Sequence, residues 1–192
     1  MSVLILGLVI FLGLHSIRIF AEGWRKARIA QMGERGWKAA YSVLSIIGLV
    51  LIIQGYGMAR HGAVALWAPP AWAPHLAGIL TLVAFVLIAA AYIPGNHFKT
   101  LLGHPMVIGI ALWALAHLLA NATPSAVLLF GAFLVWAIID FAAARRRDRA
   151  EGTVYPEGTL SRDAIPVVVG VVAWIVFAFY LHGSLIGVKP MG

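Results

Sequence analysis

The sequence has no cysteine, and only 11% of its 192 residues are charged, against roughly a quarter in an ordinary soluble domain. Without thiols there can be no disulfide, zinc–thiolate centre, iron–sulfur cluster, c-type haem attachment or thiolate nucleophile. A heptad pattern, a repeat of fixed period and a long Ser/Pro-rich linker are also missing, which excludes a coiled coil, a solenoid and a flexible junction between two domains. There is no catalytic-triad arrangement and no phosphate-cradling glycine loop. What is present is apolar surface: 62% of the residues are hydrophobic, too many for a soluble globular protein and too rich in Val, Ile, Leu and Phe for a disordered one. Any chemistry must use histidine, carboxylate, hydroxyl or a bound cofactor.

A helix that crosses a bilayer needs about 20 mainly apolar residues, because the hydrocarbon core is about 30 Å thick and each residue rises about 1.5 Å. Six stretches meet this description, at about 2–20, 39–59, 74–92, 105–121, 124–144 and 165–186. Pro74, Pro105 and Pro124 each open a stretch, where a missing N–H costs nothing. The expectation is an all-α integral membrane six-helix bundle, one domain over residues 1–192.

Charge orients that bundle. Arg18, Arg25, Lys26, Arg28, Arg35 and Lys38 follow the first stretch, Lys99 the third, and Arg145, Arg146, Arg147, Arg149 and Arg162 the fifth. The other side keeps only Arg60 and Lys189. The positive-inside rule then puts the basic side in the cytoplasm and both termini on the non-cytoplasmic side. The first stretch has its basic residues behind it and none in front, unlike a secretory signal. The acidic residues also lie on the basic side, so these cations meet anionic head groups of the lipid bilayer and no nucleic acid is expected as a partner. The longest connection, about 145–164, reads as a polar cytoplasmic loop.

Ionisable groups at membrane depth are costly unless they face partners, cavities or cofactors. His61, His75, His97 and His182 fall in loops or near the ends of stretches and read as solvated or interfacial. His15 lies about five residues before the basic end of the first stretch, with Phe11, Leu12 and Arg18 as helical neighbours, and His117 lies inside the fourth with Trp113 and Asn121 a turn to either side. Singly, such histidines serve most often as interhelical hydrogen-bonding groups. As a pair in a cysteine-free helical bundle they also form the ligand set of a b-type haem, and a further zinc ligand at that depth is missing. The helical rise puts His15 roughly 8 Å and His117 roughly 18 Å from the basic edge, an offset of about 10 Å. Pairing His15 with His104 would remove that offset, but His104 stands at a helix start. Asp140, near the basic end of the fifth stretch, can snorkel to water.

His104, Pro105 and Gly109 match part of the Arg-His-Pro-x-Tyr-x-Gly element of small membrane methyltransferases that use S-adenosylmethionine. Gly103 and Val107 replace its Arg and Tyr, and the later glutamate pair is reduced to Glu151. Helix capping and close packing explain the segment without a cofactor. Ser42, Ser45, Gln54 and Thr81 read as interhelical hydrogen-bonding groups, and Gly7, Gly48, Gly109, Gly131 and Gly170 as points of close helix approach.

FLGLHSIR, LGHPMVIGIALWALAHLLAN, the Arg-rich run leading into GTVYPEG, and LHGSLIGVKP together resemble the NnrU family over essentially the whole chain. Bacterial members are associated with denitrification, and a plant relative is 15-cis-zeta-carotene isomerase. The resemblance implies a multi-pass protein of the bacterial inner membrane, and a haem b held by two histidines at the positions of His15 and His117. Arg18, three residues from His15, is then a partner for the propionates, with His104 a further candidate. A cysteine linked to the haem site of the plant enzyme corresponds to Ala114, so thiolate behaviour does not carry over. The expected ligand is an apolar small molecule such as a carotenoid, or nitric oxide. A non-catalytic partner for assembly of denitrification reductases is the alternative, and a methyltransferase a further one.

Overall fold

A computed structural model describes residues 1–190, and every regular element among them is helical. The helices are α1 (Ser2–Phe20), α2 (Glu22–Arg60), α3 (Ala73–Tyr92), α4 (His97–Leu102), α5 (Pro105–Ala120), α6 (Pro124–Glu151), α7 (Leu160–Val176) and α8 (His182–Ile186), with a π-helical turn, Phe177–Leu181, joining the last two. Pro74, Pro105 and Pro124 occupy the first turns of α3, α5 and α6. Five segments are long and apolar enough to cross a membrane: α1, α2, α3, α6 and the run Leu160–Ile186. The remaining apolar helix, α5, has 16 residues, about 24 Å of rise.

Two boundaries differ from expectation, for identifiable reasons. The second stretch extends back to Glu22 because a polar segment stacks onto it, with the chain broken at Gly33, whose φ of 74° and ψ of 160° are non-helical. The expected loop over 145–164 is mostly helix. α6 carries Arg145–Arg149 onward to Glu151, where the left-handed Gly152 stops it, leaving only 152–159 irregular. Arginine is a good helix former, and the lost apolar pattern marks where the lipid ends rather than where the helix does.

Packing follows an arc. α2 lies on α1, α1 on α6, α6 on α5, α5 on α3 and α3 on α7, so α2 and α7 end the arc without a packed seam between them. Small residues set the closest seams. A Cβ on Gly7 would fall 2.6 Å from the amide nitrogen of Ile52, and one on Gly55 would collide with the backbone of Leu4. Gly170 sits likewise on Val86, whereas Gly131 meets nothing and is not a contact point. Leu4, Leu8, Ile52, Ala114, Ala126, Leu129 and Phe130 form the core cluster. The outward faces remain apolar: Val9, Ile46, Val135 and Val168 are all exposed, as a lipid-facing surface requires.

Two intramembrane cavities as candidate functional sites

At the basic end α1, α2, α5 and α6, with Ala91 of α3 and Lys99 of α4, line a half-open cavity of about 570 Å³. It brings together three residues picked out in the sequence, His15, Arg18 and His104, and adds Tyr41, Trp136, Asp140 and Arg147. His15 stacks on Phe11 at 4.2 Å and meets Tyr41 edge-on at 5.2 Å. Its Nδ1 lies 2.6 Å from the Phe11 carbonyl, so Nδ1 carries the proton and Nε2 is the free acceptor. The indole N–H of Trp136, beside that ring, is buried without a partner.

His104 is already engaged. Its Nε2 lies 2.9 Å from Asp148 Oδ2, the oxygen that also accepts the Tyr155 hydroxyl at 2.9 Å. Burial first, then the Asp148 carboxylate, raises Tyr155 above the usual phenol range, which keeps it a donor. Arg145 and Tyr155 fill the space beside Gly103, whose φ is 72°. His104 therefore ties α5 to α6 and the following loop, and its side chain makes no helix cap. His97, read as solvated, is a second tie: its backbone N–H and Nδ1 each lie 2.7 Å from the carboxylate of Asp163 on α7. No pattern in the sequence pairs residues that lie so far apart along the chain.

The second cavity, about 550 Å³, lies between α2, α3, α5, α6 and α7 toward the opposite end. Its walls are aromatic, including Phe85, Trp113, Phe130, Phe133 and Phe177. His117 lines it, stacked on Phe130 at 4.5 Å, with Nδ1 2.8 Å from the Trp113 carbonyl. Again Nδ1 is the donor and Nε2 is left over, the tautomer a metal-bound histidine adopts when a backbone carbonyl orients it. Arg60 and Lys189, the two cations of that end, both line this cavity, as does His182. Sequence reading took His182 as a solvated or interfacial histidine in a loop or near the end of a stretch and used Arg60 and Lys189 only to orient the bundle, since nothing local in the chain marks their meeting.

The structure does not bring His15 and His117 together. They line different cavities, and Phe11, Phe133 and Trp113 stand between them in successive contact. Along α6, Trp136 beside His15 and Phe130 beside His117 are six residues apart, about 9 Å of rise, close to the offset expected from the sequence. Metal–imidazole bonds of about 2 Å put two axial nitrogens about 4 Å apart. The two histidines line different cavities, and the aromatic one offers a haem a free imidazole nitrogen of His117, apolar walls and two cations. No group of three or more His, Cys, Asp or Glu able to hold a bare metal ion occurs among the described residues.

These features define an all-α, multi-pass membrane protein with one polar and one aromatic cavity between its helices. The sequence profile described as NnrU protein matches residues 3–190, and the chain belongs to the NnrU family. No curated protein and no solved structure matches it.

Proposed function

We propose that this protein binds haem b in the aromatic cavity, with His117 as an iron ligand, and serves nitrogen-oxide metabolism or isomerisation of an apolar polyene, the two activities associated with its family. The observation that carries the reading is the unpaired Nε2 of His117 beside aromatic walls and two cations. The volume falls within the roughly 300–1,000 Å³ typical of cofactor pockets. Haem would supply an iron able to coordinate a small gas or an electron-rich double bond. The protein's own part is to hold the imidazole tautomer through the Trp113 carbonyl, to neutralise carboxylates with Arg60 and Lys189, and to exclude water with Phe85, Phe130 and Phe133. The unpacked side between α2 and α7 gives an apolar ligand a route from lipid.

In this reading the chain spans the bacterial inner membrane six times, α5 included, with the basic cavity on the cytoplasmic side and both termini outside. The shortness of α5 matches its place between α3 and α6, sheltered from lipid on both flanks. Protein purified in detergent from haem-replete cells is expected to show a Soret band and about one haem per chain by pyridine haemochrome, and His117→Ala to lose most of it. A colourless wild type, or a His117→Ala variant with full haem content, would overturn the proposal.

A further inference from the structure

The basic cavity keeps polar groups that neither a haem in the other cavity nor the ties between helices employ. Five cations, Arg18, Arg25, Lys38, Lys99 and Arg147, and three carboxylates line it. Several of these are already matched: Arg25 pairs with Glu22 at 3.0 Å, Lys38 with Glu34 at 3.2 Å, and Asp148 with His104. The Lys99 ammonium reaches only the Ala91 carbonyl, at 3.4 Å, and Glu151 is exposed at the end of α6. Among the described residues Arg18, Arg147 and Asp140 make no ion pair and no side-chain hydrogen bond. They nevertheless share one neighbourhood, since both guanidiniums and the His15 ring lie within electrostatic reach of the Asp140 carboxylate. Unlike the Trp136 N–H, these leftover groups and His15 Nε2 are not sealed in.

That set has two sides. Guanidinium presents paired N–H donors suited to phosphate oxygens, whereas the carboxylate and the imidazole nitrogen can only accept. A bare inorganic anion would suit the arginines and be repelled by Asp140; a phosphodiester that also carries hydroxyls satisfies both sides. The excess of cations over carboxylates in the lining favours an anion over a zwitterion. The remaining wall is apolar, with Leu14 and Ile17 of α1 and Met106, Val107 and Ile110 of α5, all only half-buried. α1 and α5 share no packed seam, so these walls are not closed against each other and are free to take hydrocarbon. Basic pockets between spanning helices are a recurrent seat for anionic lipid head groups.

We infer that the basic cavity holds one anionic glycerophospholipid per chain, its phosphate on Arg18 and Arg147, its head-group hydroxyls donating to Asp140 and His15 Nε2, and its acyl chains along the apolar walls. The inference stands apart from haem binding. It is tested by native mass spectrometry of the full chain in detergent, titrated with four probes. Dioleoyl phosphatidylglycerol is the first, and dioleoyl phosphatidylmethanol has the same charge and chains without the hydroxyls. Dioleoyl phosphatidylcholine supplies a zwitterion, and glycerol 3-phosphate a soluble phosphate ester. Wild type is expected to bind one phosphatidylglycerol about fivefold more tightly than phosphatidylmethanol, as one or two hydrogen bonds allow, and to bind phosphatidylcholine and glycerol 3-phosphate more weakly than either. Arg18→Gln together with Arg147→Gln should weaken phosphatidylglycerol and phosphatidylmethanol alike, by about tenfold. Asp140→Ala should erase the preference between those two lipids, a change that general loss of structure would not give. Arg60→Gln together with Lys189→Gln, at the other end of the bundle, should leave lipid binding as in wild type. Equal binding of the three lipids by wild type, glycerol 3-phosphate bound as well as the lipid, wild-type affinity in the Arg18 and Arg147 variant, a preference that survives Asp140→Ala, or an equal loss in the Arg60 and Lys189 variant would overturn the proposal.

Discussion

The two cavities are of nearly equal volume and each holds an imidazole with the same tautomer, yet they are built from opposite materials. The basic one is rimmed by Arg18, Arg25, Lys38 and Arg147 with Asp140 and Asp148 among them, and its remaining histidine is tied to a carboxylate. The aromatic one has Phe, Trp and Tyr on its walls and no acidic residue in its lining. Charge of both signs lets part of the first satisfy itself, through His104–Asp148–Tyr155 and the nearby His97–Asp163 pair, while His15 Nε2 and the buried Trp136 N–H stay open. The second has two cations and two imidazole acceptors with nothing inside the protein to answer them. The first cavity is thus a joint at its His104 end and open at its His15 end, whereas the second keeps its cations and imidazole acceptors open.

That contrast can be broken most severely at the seam of α1 and α2, both of which wall the basic cavity while α2 also walls the aromatic one. Gly55→Val would force a side chain into the backbone of Leu4 and separate α1 from α2, a change expected to cost about 3 kcal/mol or more; thermal unfolding in detergent should show it, with loss of monodisperse protein. A smaller effect is expected at the joint. Asp148→Ala removes the acceptor shared by His104 and Tyr155, and hydrogen bonds to charged groups are worth about 1.5–3 kcal/mol. Thermal stability should drop while haem content stays at the wild-type level, since the aromatic cavity does not include this residue. Smaller still, Arg60→Gln together with Lys189→Gln should weaken haemin retention about fivefold, roughly 1 kcal/mol for partly exposed charges, and remove the salt dependence of retention. The equivalent pair Arg18→Gln and Arg147→Gln, around the basic cavity, should leave retention unchanged.

Much of the fold was legible because the bilayer imposes a single rule. Apolar length and opening prolines located α1, α3, α5 and α6 to within a residue or two at their lipid-facing starts. Helix ends set by polar residues were not: the arginines of α6 and the segment before Gly33 fold as helix once outside the apolar zone. Gly7, Gly48, Gly109 and Gly170 are close-approach points as read, but Gly55, on the opposite face of the same seam as Gly7, was missed and Gly131 was misread, because composition does not say which way a glycine faces. Of the site, His15 and His117 stood out by depth alone. Their assignment to separate cavities depends on the packing of Phe11, Trp113 and Phe133 between them. His182 was read as interfacial, because its place in the lining of the aromatic cavity follows a π-helical turn and a tail bond that no local pattern marks.

The separation of the two histidines is tested most directly by measuring haem per chain in His15→Ala and His117→Ala prepared side by side with wild type. Haem content near the wild-type value in His15→Ala and at least a tenfold loss in His117→Ala is the predicted result. Equal losses in the two variants would put both rings on one iron and contradict the account.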